Sequence, residues 1–251
     1  MLIKLNTMNK LLYIFLGLSL IFACSDNDNV TVSNDTEVID VDGNLYPIQL
    51  IADEVWSTQN LRTKTYRDGS PIPYVEDPIE WANLTTGAWQ YVNNDPTTEE
   101  KYGLFYNFYA VNNPKGLSPD GTRIPSYADF LHLTSYFGAP MNVDVVETAE
   151  DKEIFLGFLT DDPDYPWVRD ESTMIGTNLT GFNLYPAGWQ RSSSSLNFFG
   201  FGSFLWSSDA FSPSATNASV ASWRFFSNTN FSNGISDAQN YYGCSVRFIK
   251  N

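Results

Sequence analysis

The chain has 251 residues, of which 16% are aromatic and only 17% are charged, and its formal charge is −15 at neutral pH. A chain of this length forms one large domain or two small ones, and its aromatic residues supply ample material for a core. Because charge-driven binding to nucleic acid or to anionic lipid needs a clustered basic face, the acidity argues against both partners.

The first residues predict an export signal. Lys10 precedes an apolar run from Leu11 to Ala23, which is too short to cross a bilayer because crossing needs about 20 apolar residues. Such a run fits the core of a signal peptide. Its end, IFAC at residues 21–24, resembles the lipobox at which bacterial lipoproteins are cleaved and lipidated. We therefore predict a lipoprotein signal peptide over residues 1–23 and lipid attachment at Cys24, with ordinary secretion as the alternative.

The next stretch, residues 24–43, is polar and without clear periodicity, which predicts a flexible acidic tether. Asp26 and Asp28 follow Cys24 closely. Acidic residues in this place resemble the signal that exports Bacteroidetes lipoproteins to the outer face of the outer membrane. The expected location is therefore the outer membrane, lipid-anchored and exposed on the cell surface, although the same residues would also serve as a plain solvated tether.

The folded part is predicted to span residues 44–251 and to begin with short strands. Apolar and polar residues alternate from Ile48 to Ala52, and Val55 and Trp56 start a second strand. The segment from Tyr102 to Val111 predicts a strand that runs into a helical turn.

Two segments carry helix signals. Ser126 can cap a helix whose first turn contains Asp129, and Gly138 can end it. A second helix is predicted after a cap at Thr148. The side chains expected to face the core are Phe130, Leu133 and Phe137 in the first helix and Ile154, Phe155, Phe158 and Leu159 at the second. The rest of the chain favours short strands, so the predicted class is α+β with few helices and many short, mostly antiparallel strands.

Seven motifs in this order resemble the Fibrobacter succinogenes major paralogous domain family. They are EVWSTQNLRTKTYRDGSPIPYV, EWANLTTGAWQYVNND, KYGLFYNFYAVNN, GLSPDGTRIPS, LYPAGWQ, FLWSSD and YGCSVRFIK. The resemblance covers residues 44–251, with residues 141–174 departing most. It implies a C-type-lectin-like or formylglycine-generating-enzyme-like fold, in which the closing strand from Gly243 to Arg247 pairs centrally in the sheet near the N-terminal strand.

The resemblance also bears on the cysteines. Members of the family carry two cysteines at the places that Ser118 and Phe248 occupy here, so these two residues are expected to lie near each other. With Cys24 lipidated, Cys244 has no partner. We expect it to be buried and unpaired, on the same strand face as Val246 and Phe248.

Residues for catalysis are scarce in this sequence. The single histidine, His132, lies within a predicted helix and no nucleophile elbow is present, so a Ser-His-Asp triad and a zinc site are not expected. Paired carboxylates for glycoside hydrolysis and loop carboxylates for calcium stay open, but the acids at 99–100 and 161–164 are typical of solvated loops. We predict no enzyme activity, no cofactor and no metal.

The 7 tryptophans favour a binding surface, because tryptophan is seldom fully buried and exposed rings suit the apolar faces of sugars. Trp89, Tyr91 and Trp167 lie in polar, loop-like contexts and are the predicted ligand contacts, whereas Trp206 and Trp223 are assigned to the core. The predicted function is a non-catalytic domain that binds glycans or proteins. A structural surface module without a small ligand and an enzyme of unknown type are the alternatives.

Overall fold

The computed structural model describes residues 35–138, 149–169, 172–192, 195–210, 217–227 and 230–251, which belong to one unit from Asp35 to Asn251. The predicted signal peptide, the lipid-attachment residue Cys24 and the cap at Thr148 lie outside the described residues. Within them, no helix is both long and apolar enough to cross a membrane.

The described residues form fourteen strands and five short α-helices, with two 3-10 turns at Val92–Asn94 and Pro96–Thr98. The strands are β1 (Glu37–Ile39), β2 (Leu45–Ile51), β3 (Glu54–Ser57), β4 (Trp89–Tyr91), β5 (Leu104–Tyr106), β6 (Thr122–Arg123), β7 (Trp167–Arg169), β8 (Ser172–Met174), β9 (Trp189–Ser192), β10 (Ser195–Asn197), β11 (Gly202–Ala210), β12 (Ala218–Ser227), β13 (Asn230–Ala238) and β14 (Ile249–Lys250). The helices are α1 (Pro78–Ala82), α2 (Glu99–Tyr102), α3 (Phe108–Val111), α4 (Tyr127–Tyr136) and α5 (Ala149–Phe158). The predicted α+β class is confirmed.

A five-stranded antiparallel sheet contains the end of the chain. Its strand order is β1-β2-β3-β14-β6, so the last strand lies between two others rather than at an edge. Ile249 pairs with Trp56 on one side and with Arg123 on the other. A second sheet, β11-β12-β13, and three two-stranded ladders complete the strand structure of the described residues.

The folded part begins earlier than the sequence predicted. Strand β1 (Glu37–Ile39) pairs with β2. Asp40 stabilises the turn that follows β1, because its carboxylate accepts hydrogen bonds from the backbone amides of Asp42 and Asn44 and from the hydroxyl of Tyr46 at 2.7 Å. Residues 35–43 are therefore part of the fold and not of a flexible tether, because β1 pairs with β2 and because the Asp40 and Asp42 carboxylates accept hydrogen bonds from the folded unit. The rest of the predicted tether lies outside the described residues.

Helix α4 follows its sequence signals closely. The Ser126 hydroxyl accepts a hydrogen bond from the Asp129 amide and the Asp129 carboxylate accepts one from the Ser126 amide, which is a complete capping box. Gly138, just past the helix, has a positive φ of 79°, a conformation that favours glycine. The apolar face of the helix reaches the core through Phe130 and Leu133, both fully buried.

Two large clusters make up the core. The first lies around α4, α5 and β12 and includes Trp56, Phe130, Phe158, Trp167, Phe182 and Trp223. The second lies under β2 and β11 and includes Tyr46, Tyr106, Trp206, Cys244, Val246 and Phe248. The assignment of Trp206 and Trp223 to the core is confirmed, as is that of Phe155, Phe158 and Leu159 at the second helix.

The C-terminal segment is packed as expected. Cys244 is fully buried and unpaired, and it shares the second cluster with Val246 and Phe248. The regular ladder is shorter than predicted, because only Ile249–Lys250 is a strand while Cys244 and Ser245 form isolated bridges to Tyr106 and Leu205. The closeness of Ser118 to Phe248 stays a prediction.

Candidate functional site

Trp167 is not a ligand contact. Its side chain is fully buried in the first core cluster, where its ring lies 6.4 Å from that of Phe155. The polar sequence around it was misleading, because β7 turns this one ring inward while the neighbouring Val168 is exposed. The prediction that Trp167 contacts a ligand is wrong.

Trp89 and Tyr91 come together, as residues two apart on one strand do. Both lie on β4, and their rings are 5.1 Å apart and nearly perpendicular. Trp89 is largely buried and donates its indole N–H to the carbonyl of Ile72 at 3.0 Å, whereas Tyr91 is half-buried. Trp89 therefore supports the neighbouring rings from below and has little contact with solvent. Tyr91 lies between the buried side chains and the surface.

The solvent-exposed ring beside this pair is that of Tyr74, which was not predicted from the sequence. Tyr74 is 42% exposed, and its ring centroid lies 4.7 Å from that of Trp89 and 5.5 Å from that of Tyr91. Backbone hydrogen bonds between Trp89 and both Pro73 and Val75 hold its segment against β4. We call Tyr74, Trp89 and Tyr91 the aromatic platform. The sequence feature that could have indicated an exposed ring was the position of Tyr74 between two polar, proline-rich turns.

A lysine ammonium lies on the platform. Lys64 Nζ is 5.1 Å from the ring centroid of Trp89 and 5.4 Å from that of Tyr91, and it pairs with the Glu99 carboxylate at 2.8 Å. Burial lowers the pKa of Lys64, but the hydrogen bond and the charge of Glu99 outweigh burial, so the net shift is upward. This ammonium is therefore charged at neutral pH, and Glu99 is not the solvated loop acid that the sequence suggested.

An open cleft of about 570 Å³ begins at Tyr74. It is lined by Tyr74, Val75, Glu76, Asp77, Pro78, Glu80 and Asn94. Asp77 caps α1 by accepting hydrogen bonds from the amides of Ile79 and Glu80, which fixes the helix that forms one wall. Burial raises the pKa of Tyr74, and the Glu76 carboxylate raises it further. The cleft thus combines one exposed ring with several carboxylates and an amide.

The residues weighed for catalysis lie elsewhere and serve the fold. His132 is exposed on α4, and its Nε2 lies 2.8 Å from the carbonyl of Ala52. Asp162, in the acidic run predicted to be a solvated loop, forms an ion pair with Lys101. Burial raises the pKa of the Cys244 thiol well above its usual range. In the part of the chain that the structure describes, no three His, Cys, Asp or Glu side chains are grouped to hold a metal ion.

A family model matches most of the chain. The model described as the Fibrobacter succinogenes major domain matches residues 50–250. The chain belongs to this family. In this member of the Fibrobacter succinogenes major domain family, the match takes in the aromatic platform, the cleft and the closing strand, but not β1. No curated protein and no solved structure matches the chain.

Proposed function

We propose that this protein is a lipoprotein of the outer membrane, anchored through Cys24 and facing outward, whose domain binds a glycan or a protein without chemical catalysis. The observation that carries the proposal is the exposed ring of Tyr74, held by Trp89 and Tyr91 at the mouth of the cleft. The motif at residues 21–24 and the acidic residues after it support the proposed location in the outer membrane.

The platform has the chemistry of a recognition surface. An aromatic ring offers an apolar face at low conformational cost, and ligand sites combine such faces with a few polar groups. Here Glu76, Glu80 and Asn94 supply those groups around Tyr74. Because Trp89 and Tyr91 pack behind it, the ring of Tyr74 is already in place before a ligand arrives.

A binding role accounts for these features better than catalysis. The Nε2 atom of His132 lies within hydrogen-bond distance of the Ala52 carbonyl. The Cys244 thiol is buried, and burial raises its pKa. The Cys244 thiol is therefore a poor nucleophile, since thiolate nucleophiles need access and a suitable pKa.

We further propose that the domain has the C-type-lectin-like arrangement that its family resemblance implies. The position of β14 inside the sheet, between β3 and β6, supports this assignment.

The test is binding of the purified full chain to a panel of soluble polysaccharides and purified surface proteins. We expect at least one saturable ligand, and we expect Tyr74→Ala to weaken its binding about tenfold, since a ring contact contributes on the order of 1 kcal/mol. Tyr136→Ala is the matched control, because Tyr136 on α4 is 45% exposed and does not line the cleft. Equal binding by all three proteins would refute the platform as the site.

A further inference from the structure

The cleft beside the aromatic platform is lined by acidic side chains. Glu76, Asp77 and Glu80 line it together with Tyr74, and no lysine or arginine is among the lining residues. Among the ion pairs of the described residues, the cations contact other acids: Lys64 pairs with Glu99, Lys101 with Asp162, and Arg123 with Glu54 and Asp129. Glu76, which accepts a hydrogen bond from the Tyr74 hydroxyl, and Glu80 are both exposed, so their carboxylates can attract a cation from solvent.

The chain itself shows how the platform holds a cation. The Lys64 ammonium lies over the rings of Trp89 and Tyr91 and is completed by a carboxylate. A ring face attracts a cation through its quadrupole, and a nearby carboxylate adds charge attraction. Tyr74 presents the same two elements to the cleft, which are an exposed ring and, beside it, the carboxylates of Glu76 and Glu80.

We infer that the cleft binds a lysine or arginine side chain from a basic segment of a partner protein. This inference rests on the proposed function and narrows it to one class of ligand. The cleft volume of about 570 Å³ is within the range of specific ligand sites. The net charge of −15 steers a basic partner toward the domain as a whole.

The surface around the cleft fits a protein chain. Ile79, on the helix that forms the wall, is 66% exposed, and Pro78 lines the cleft next to it. These apolar side chains can pack against the methylene stem of a lysine and against its neighbouring residues. The carboxylates can accept hydrogen bonds from sugar hydroxyls as well, but only a cationic ligand adds charge attraction to those hydrogen bonds, so charge complementarity favours the basic segment.

The experiment uses two peptides of alternating serine and lysine, one unmodified and one with every lysine acetylated. Each is titrated into the purified full chain while tryptophan fluorescence and calorimetry report binding. We expect the unmodified peptide to bind saturably and more weakly at higher salt. The acetylated peptide should bind at least about tenfold more weakly, because it keeps the stem and loses the charge.

Two double variants distinguish the effect of the carboxylates in the cleft from the effect of the overall charge on binding. Glu76→Gln with Glu80→Gln should weaken binding of the lysine peptide about tenfold. Glu150→Gln with Asp161→Asn removes the same charge from exposed positions outside the cleft and should change binding less than about twofold. All four positions are on the surface, and a thermal melt of each variant confirms folding.

Three results would overturn the inference: no saturable binding of the lysine peptide, equal binding of both peptides, or equal losses in the two double variants. If a polysaccharide binds in a Tyr74-dependent way while the lysine peptide does not, the proposed binding function stands and the cationic ligand is wrong. If the lysine peptide binds but Tyr74→Ala has no effect, the platform itself is wrong.

Discussion

At the scale of single residues, Arg247 connects the C-terminal segment to the rest of the fold. It is fully buried, and its guanidinium donates hydrogen bonds to Asn60 Oδ1 at 2.6 Å, to the Ser57 carbonyl at 2.7 Å and to the Asn183 carbonyl at 2.9 Å. Burial lowers the pKa of Arg247 to about 9, which leaves it charged at neutral pH. One side chain therefore joins the chain end to β3 and to the segment before β9.

Replacing this arginine should be costly. Arg247→Met leaves the neutral acceptors of Asn60, Ser57 and Asn183 without their donor, and leaving buried acceptors unsatisfied costs about 1–3 kcal/mol of unfolding free energy. Arg247→Lys keeps the charge but not the planar fork, so it should recover only part of this loss. Urea unfolding measures both, with the exposed Lys115→Met as control. A loss below about 1 kcal/mol in Arg247→Met would contradict this role.

Cys244 should be inert in the folded protein. The thiol is fully buried, and burial raises its pKa well above the usual range, so little thiolate is present and reagents cannot reach it. We expect Cys244 to stay unlabelled by iodoacetamide in native buffer and to react quickly in concentrated urea, as read by mass spectrometry of its peptide. Rapid labelling under native conditions would show that the end of the chain opens.

At the scale of elements, the β1–β2 hairpin is tied to the loop that carries Lys64. Asp42 Oδ2 accepts hydrogen bonds from Thr63 Oγ1 at 2.8 Å and from the backbone amides of Lys64 and Thr65. Burial raises the pKa of Asp42, but hydrogen bonds from Thr65, Lys64 and Thr63 outweigh it and leave the pKa below its ordinary value of 3.8. The hairpin therefore helps to position the ammonium on the aromatic platform.

This tie predicts a pH dependence. Because the folded-state pKa of Asp42 is lowered, the unfolded chain binds the proton more readily. The stabilisation by Asp42 is thus present above pH 3.8 and is lost as the pH falls through the lower folded-state value. Asp42→Asn should reduce the free energy of unfolding at pH 7, and its difference from wild type should shrink toward pH 3. A difference that is constant over this range would contradict the assignment, and the exposed Glu37→Gln is the control.

The elements that the sequence predicted best are those with local signals. The capping box of α4 involves Ser126 and Asp129 within one helical turn, so the pattern alone determines it. Residues 35–43 looked like a tether because their polar groups find partners that local patterns do not show, such as Tyr46 and Thr63. Trp167 was misjudged for the same reason, since the neighbours that bury it come from α5 and β12.

At the scale of the whole molecule, the proposed location in the outer membrane and the binding surface depend on separate parts of the chain. The lipid anchor is predicted from residues that precede the folded unit, and Cys24→Ala should release the protein from membranes into the soluble fraction. Cell fractionation with an antibody against the folded domain measures this. If Cys24→Ala stays bound to membranes, the anchor assignment is wrong, while the domain and its platform are unaffected.

The overall class and family could be predicted from the chain, because seven ordered motifs and the pattern of short strands agree on them. The candidate site could be predicted only in part. Trp89 and Tyr91 share one strand, but Tyr74 and Lys64 reach them from separate segments. Such a meeting depends on the pairing of β4 with the segment around Tyr74, which no periodicity in the sequence reveals.

The central claim is that ligands contact the aromatic platform, and oxidative footprinting tests it most directly. The full chain is oxidised with and without the polysaccharide or lysine peptide that it binds, and side-chain oxidation is measured by mass spectrometry. The account predicts that the ligand lowers oxidation of the exposed Tyr74 and of the half-buried Tyr91, while the equally exposed Tyr136 is unchanged. Unchanged oxidation of Tyr74 with bound ligand, or protection only at Tyr136, would contradict it.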